Sequence, residues 1–196
     1  VDRVKAFDIS DYEVKIAAEV KNFDPTRFML EHIARKIDRF AQFGIVGAKM
    51  AIDDSRLNLD KEDPKRIGVS IGSGLGGVLF HEEQMMLMYK EGSKRAHPLG
   101  VSRVMPNAVT AHVSIMLNLK GPNIATSTAC SSGAHAIGQA YDLIRLDRAD
   151  VMIAGGTEAP ITPFTFAAFI AMRVLSKRND SFREASRPFD KERDVL

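Results

Sequence analysis

A chain of 196 residues, 45% hydrophobic and 27% charged, can bury a substantial core and is sized for one domain or one half of a larger one. No window approaches the about eighteen uninterrupted apolar residues of a membrane span. The charged start does not lead into a signal peptide's apolar stretch, so the reading is a soluble protein with the cytoplasm as its default location. A net charge of +2 is too small to argue for nucleic acid, and the single cysteine, Cys130, excludes an internal disulfide and any multi-thiolate metal site.

In chain order, Tyr12, Val14, Ile16, Ala18 and Val20 alternate with charged residues, which predicts a half-exposed strand. Asp24-Pro25 marks a helix start, and Ile33, Ile37, Phe40, Ala41 and Ile45 recur at helical spacing, predicting one long or two consecutive helices to about Asp54. Ile67, Val69 and Ile71 form a short strand that runs into Gly72-Ser73-Gly74-Leu75-Gly76-Gly77, and Val78 to Lys90 reads as a helix. Gly92 to Ser102 reads as a loop, Pro106 opens a helix that stops near Gly121-Pro122, and Asn123 to Ala129 reads as a strand. Gly133 to Leu146 is helical, Asp150 to Ala154 is a buried strand closed by Gly155-Gly156, and a last helix spans Phe166 to Leu175. Strands alternating with helices indicate an α/β fold with a largely parallel sheet.

Cys130 falls on the expected corner between a strand and a helix, within Thr128-Ala129-Cys130-Ser131-Ser132-Gly133. Such a turn lifts a side chain above the sheet edge, and the backbone N–H groups at a helix start favour a thiolate and can stabilise the oxyanion formed when a thioester carbonyl is attacked. The small neighbours leave room for a substrate. Against this stands the ordinary role of a lone cysteine as a small buried hydrophobe. A second signal, Gly72, Gly74 and Gly77 after a strand and before a helix, satisfies the dinucleotide pattern G-x-G-x-x-G. That fold requires a second strand ending in an acidic residue about twenty positions on, where the chain offers the basic stretch around Arg95 to His97.

Taken with Ala154-Gly155-Gly156-Thr157-Glu158 and Ser186-Arg187-Pro188-Phe189-Asp190-Lys191-Glu192-Arg193-Asp194, the cysteine segment resembles the elongating β-ketoacyl-carrier-protein synthases of the thiolase superfamily, most closely the bacterial synthase II type. The resemblance runs from Phe7 to Asp194. It implies a thiolase-like fold, layered αβαβα, of which residues 1–196 are the N-terminal, nucleophile-bearing half with a mixed, largely parallel sheet. It also implies a two-step acyl transfer in which Cys130 takes an acyl group from a carrier protein's phosphopantetheine arm, after which malonyl carrier protein loses carbon dioxide and attacks. The synthase carries no cofactor of its own and no metal, because the pantetheine arm belongs to the carrier. Gly74, Leu75, Ala129 and Phe169 match substrate-binding positions, Leu75 and Phe169 lining the acyl pocket near a homodimer interface. Arg35, Lys36, Lys94, Arg95 and Arg173 match positions facing the acidic acyl carrier protein. Glu158 and the Asp190–Asp194 segment are expected to hold loops near the site.

Departures from the family pattern are at the ends. The family's first strand precedes Val1, and its second half, with two histidines and a lysine that serve decarboxylation, follows Asp194. His32, His81, His97, His112 and His135 fall outside the family's histidine motifs, so the 196-residue chain alone is expected not to condense substrates. Two further readings stay open: a ketosynthase domain of a polyketide synthase, and a non-catalytic partner subunit, the latter disfavoured by retention of Cys130.

Overall fold

The computed structural model describes residues 1–195, and the chain divides into two compact units, one made of Val1–Phe23 and the segment from Pro160, the other of Asp24–Ala159. In chain order the elements are β1 (Asp2–Arg3), β2 (Ile16–Ala17), α1 (Glu31–Ala34), α2 (Arg39–Ser55), β3 (Ile67–Gly72), α3 (Val78–Glu91), α4 (Gly100–Val104), α5 (Ala108–Leu117), β4 (Asn123–Thr126), α6 (Ser132–Arg145), β5 (Val151–Gly156) and α7 (Pro163–Ala171). No helix among the described residues is long and apolar enough to cross a membrane.

The larger unit is built on a parallel sheet in the order β4-β3-β5. β3 is buried along its whole length, and its alternation sorts its residues between two layers. Ser70 donates its hydroxyl to the Ala136 carbonyl of α6 at 2.9 Å. Ile71, of opposite parity, faces a cavity of about 200 Å³ shared with Phe43, Gly44 and Gly47 of α2. Helices therefore cover both faces, α6 on one side and α2 with α5 on the other. Phe40, Ile45, Val69, Val109 and Val113 form the dry centre, each at 0–1% exposure, and burial of each such side chain contributes about 1.5–3 kcal/mol.

Asp38 is the polar hub of this unit. Its buried carboxylate caps α2 by accepting from the Phe40 N–H at 3.1 Å and reaches α3, accepting from the Phe80 N–H at 3.0 Å. Desolvation raises its pKa above the ordinary aspartate value, against the opposing pull of those two N–H groups and of Arg103, whose guanidinium lies 3.9 Å from the Phe80 ring centroid.

In the smaller unit Val4, Val14, Ile16, Phe166 and Ala185 form the core. Phe7, Tyr12 and Phe166 meet edge to face, with centroids 5.4–5.8 Å apart. α7 begins where the sequence chemistry allows, with the Thr162 hydroxyl accepting the Thr165 N–H and Pro163 in the first turn.

Several element boundaries differ from expectation. The predicted strand over Tyr12–Val20 reduces to Ile16–Ala17, paired antiparallel with β1. Its alternation reflects burial of Val14 and Ile16, while the Lys15 N–H is taken by the Asn179 side chain rather than by a ladder. Asp24 caps only the 3₁₀ turn Pro25–Arg27, and the chain restarts at Asp38 because a second capping carboxylate is available there. The expected loop from Gly92 contains α4, and α5 starts at Ala108, two residues past Pro106. β5 is half-buried rather than buried, since it is an edge of the sheet with β3 as its neighbour.

Candidate active site

Cys130 stands where a strand hands over to a helix, between the end of β4 at Thr126 and the start of α6 at Ser132, and it is exposed. β4 stops short of the predicted Ala129 because Ala129 sits at φ +52°, a left-handed conformation that no strand accommodates and that costs an alanine about 1–2 kcal/mol. Two overlapping turns hold it: the Ser131 N–H donates to the Thr128 carbonyl at 3.2 Å and the Ser132 N–H to the Ala129 carbonyl at 3.1 Å. The buried Ser132 hydroxyl accepts the Thr128 N–H at 2.9 Å and donates to the Ala129 carbonyl at 2.6 Å. His135, one turn along α6, places Nδ1 at 2.8 Å from the Thr128 hydroxyl.

The helix start is seated on glycine. A Cβ added to Gly72 would lie 2.2 Å from the Ser132 carbonyl oxygen, and one added to Gly156 would lie 2.9 Å from the Gly133 Cα. The last residues of β3 and β5 thus press backbone against backbone on the first turn of α6. That approach requires glycine at these positions, since Cβ atoms do not occur within about 3 Å of such neighbours.

The glycine-rich turn after β3 lies beside this corner. Gly74 packs against the Ala129 carbonyl, 3.5 Å from where a Gly74 Cβ would project, and Leu75 is exposed at 45%. Gly74, Leu75, Ala129 and Cys130 therefore share one end of the larger unit. The turn's own donors are satisfied internally. The Glu158 carboxylate accepts the Gly74 N–H at 2.7 Å, the Leu75 N–H at 3.1 Å and the Ser73 hydroxyl at 3.0 Å. The Ser73 hydroxyl accepts the Gly76 N–H at 3.0 Å, and the Gly77 N–H goes to the Val104 carbonyl at 3.0 Å. A phosphate bound in the G-x-G-x-x-G manner needs those N–H groups, and Glu158 already holds two of them, so the dinucleotide reading fails on geometry.

The basic residues sort less tightly. Arg35 and Lys36 follow α1, and Lys94 and Arg95 lie in the 3₁₀ turn Ser93–Arg95; all four are exposed. Arg35 pairs with Glu31 and Arg95 with Glu91, exposed pairs one helical turn apart that contribute little to stability. Phe169 and Arg173 belong to the smaller unit, Phe169 half-buried on α7 and Arg173 exposed just beyond it at φ +60°. There Arg173 lines an open depression of about 400 Å³ with Lys191 and Arg193. The neighbouring acidic residues brace the same unit: Asp194 accepts from the Ser176 hydroxyl at 2.8 Å, and Arg187 holds Asp190 at 2.8 Å. The Asp194 pKa is lowered, chiefly by the Ser176 hydroxyl, and that of Asp190 chiefly by the Glu192 N–H and then by Arg187.

Sequence reasoning did not find the Ser132 clamp, the left-handed Ala129, the contact of His135 with Thr128, or the company Lys191 and Arg193 keep with Arg173. Two signals were present: Thr128 and Ser132 bracket the cysteine at a separation that lets a side chain bridge the turn, and Glu158 follows the Gly155-Gly156 pair that ends β5.

The family model described as "Beta-ketoacyl synthase, N-terminal domain" matches residues 2–194. The 3-oxoacyl-[acyl-carrier-protein] synthase 2 of Vibrio cholerae is 42% identical over 191 residues, covering 97% of this chain and 46% of that protein, so the chain spans about half the length of the curated relatives it matches. A β-ketoacyl synthase from Burkholderia phymatum superposes with a TM-score of 0.81 at 29% identity, covering 94% of this chain and 45% of that one. A type II polyketide ketosynthase solved in complex with its acyl-carrier protein and bound to the hexaketide superposes with a TM-score of 0.75 at 30% identity, covering 80% of this chain and 46% of its own.

Proposed function

The chain belongs to the β-ketoacyl synthase family, matching its N-terminal domain, and from that premise we propose that it is the nucleophile-bearing half of a 3-oxoacyl-[acyl-carrier-protein] synthase acting in fatty-acid elongation. The observation that carries this reading is the exposed Cys130 thiol on a clamped strand-to-helix turn. In the first step the Cys130 thiolate attacks an acyl thioester carbonyl, the carrier's sulfur leaves as a thiolate, and the acyl group remains on the Cys130 sulfur. The Cys130 backbone N–H donates to the oxygen that becomes negative in the tetrahedral intermediate. In the second step a malonyl thioester loses carbon dioxide, and its enolate carbon attacks the acyl-Cys130 carbonyl and releases the thiolate. The groups that stabilise that enolate lie outside residues 1–196 in this reading.

In the larger unit Leu75, Gly74 and Ala129 border the acyl chain, and Arg35, Lys36, Lys94 and Arg95 steer an acidic carrier protein, raising encounter rate more than affinity. The acyl-pocket role of Phe169 and the carrier-facing role of Arg173, both in the smaller unit, rest on the family resemblance. The type II ketosynthase solved with its carrier supports that partner class. A homodimer, a cytoplasmic location and the absence of a cofactor of its own complete the reading. The polyketide likeness favours a second reading, in which the same Cys130 chemistry serves polyketide extension.

Incubation of the protein, expressed from its complete reading frame, with a saturated acyl-carrier thioester is expected to add one acyl mass on Cys130 and none in Cys130→Ala. An unmodified Cys130 in the folded protein refutes the proposal. Products extended by two carbons from malonyl carrier, compared between saturated acyl and polyketide primers, separate the two readings.

A further inference from the structure

We propose that Ser132 is a positioning residue that aims the Cys130 N–H, and so sets the strength of the oxyanion donor during acyl transfer. The inference rests on the reading of Cys130 as acyl acceptor and adds a residue to it. A peptide unit is planar and, here as elsewhere in the chain, trans, so the Ala129 C=O and the Cys130 N–H point in opposite directions along one rigid plate. Whatever fixes the carbonyl therefore fixes the N–H.

Two hydrogen bonds converge on that carbonyl: the Ser132 hydroxyl donates to it at 2.6 Å and the Ser132 N–H at 3.1 Å. The hydroxyl carries one hydrogen and spends it on Ala129, and its lone pair accepts the Thr128 N–H at 2.9 Å, so its direction is fixed from both sides. Ser132 is itself buried at 4% exposure, whereas Ala129 and Cys130 are exposed. The clamp therefore pulls from the interior and turns the Cys130 N–H away from the Ser132 hydroxyl. Ala129 at φ +52° has no conformational preference of its own for this arrangement, so the aim depends on the hydrogen bonds.

An oxyanion donor matters only for a reaction that passes through an oxyanion. Attack on a thioester does, whereas displacement of iodide from iodoacetamide by the same sulfur does not. The test compares the two rates at Cys130 in the full-length protein. Ser132→Ala is expected to slow acylation by an acyl-carrier thioester about 10- to 100-fold while iodoacetamide alkylation stays within about twofold of wild type. The loss should appear in the acylation rate at saturating thioester and leave the half-saturating concentration unchanged. Ser132→Thr, which keeps the hydroxyl, is expected to preserve the wild-type ratio of the two rates.

Equal slowing of both reactions in Ser132→Ala, or unchanged acylation, overturns the proposal. Should Ser132→Ala not fold by thermal melting, Ser132→Gly carries the same comparison, and Ser132→Thr decides independently: a folded threonine variant that alkylates normally and acylates as slowly as the hydroxyl-less ones refutes a hydroxyl-based clamp. Wild-type protein that alkylates at Cys130 but never acylates refutes the functional reading instead, which keeps the two failures apart.

Discussion

The turns that follow β3 and β4 share a plan, strand to small residues to helix, and differ in where their backbone donors go. After β3, the N–H groups of Gly74 and Leu75 are taken by Glu158, that of Gly76 by Ser73, that of Gly77 by Val104, and that of Phe80, in the first turn of α3, by Asp38. After β4, the side chain that braces the turn, Ser132, works from the buried side and leaves Cys130 exposed. The first turn has its anion built in. The second leaves the thiol exposed, and under the proposed function the difference separates a wall from a reaction centre where glycine content alone would favour the wrong turn.

The comparison breaks most directly at Glu158. Glu158→Ala leaves two neighbouring N–H groups without an acceptor and is expected to cost about 2–3 kcal/mol in denaturant unfolding. Glu158→Gln, which keeps an oxygen in the same place, should lose less than half of that. Acetate or formate should raise the melting temperature of the alanine variant more than that of wild type, because the emptied cradle accepts a small anion; equal shifts in both proteins count against the closed-turn description.

The next effect is at Ala129. A β-branched side chain is poorly tolerated at positive φ, so Ala129→Val is expected to lose about 1–2 kcal/mol beyond any contact it makes, while Ala129→Gly should match or exceed wild-type stability. Thermal melts of the two variants check the sign.

Smaller again is the proposed electrostatic approach of a carrier to the open turn. Arg35→Glu with Lys36→Glu should slow association with an acidic carrier by about tenfold at low salt, an effect that shrinks as the Debye length falls below about 8 Å. Stopped-flow rates across a salt series measure it.

The smallest effect concerns α5, which packs on β3 and β4, the strands that lead into the two turns. Burial lowers the pKa of His112 from 6.5. The folded protein then binds that proton less readily than the unfolded chain, so the contribution is complete above pH 6.5 and is lost as pH falls below it toward the folded value. His112→Gln should flatten the stability curve on that acid side, as read from urea midpoints.

The order of strands and helices was legible because hydrophobic period and glycine placement are local properties. Ile67-Val69-Ile71 ahead of Gly72, and the strongly patterned stretch of α6, were placed to within a residue or two. The corner carrying Cys130 was legible for the same reason. That Glu158 holds a loop near the corner followed from the resemblance, and it does so 84 positions away. What stayed hidden depends on residues far apart in sequence: Asp38 capping α3 across 42 positions and Asn179 taking the Lys15 N–H that alternation had assigned to a strand. The Ser132 clamp is local, yet hydrophobic pattern carries no information about a hydroxyl that bonds its own turn. Roles assigned to Leu75, Phe169 and the basic residues came from resemblance, since an exposed leucine or arginine carries no signature of its own.

The seating of α6 on Gly72 and Gly156 has one further consequence. Where two backbones touch without side chains between them, their spacing is fixed by atomic radii and not by which residues fill the interior. Core substitutions at Val69, Val109 or Phe40 can be absorbed by tilting helices elsewhere, but the distance from sheet to thiol at this corner does not take part in that adjustment. The sulfur is mounted on a joint of the unit that drift in core composition leaves alone, and a methyl group at either glycine would act there as a wedge.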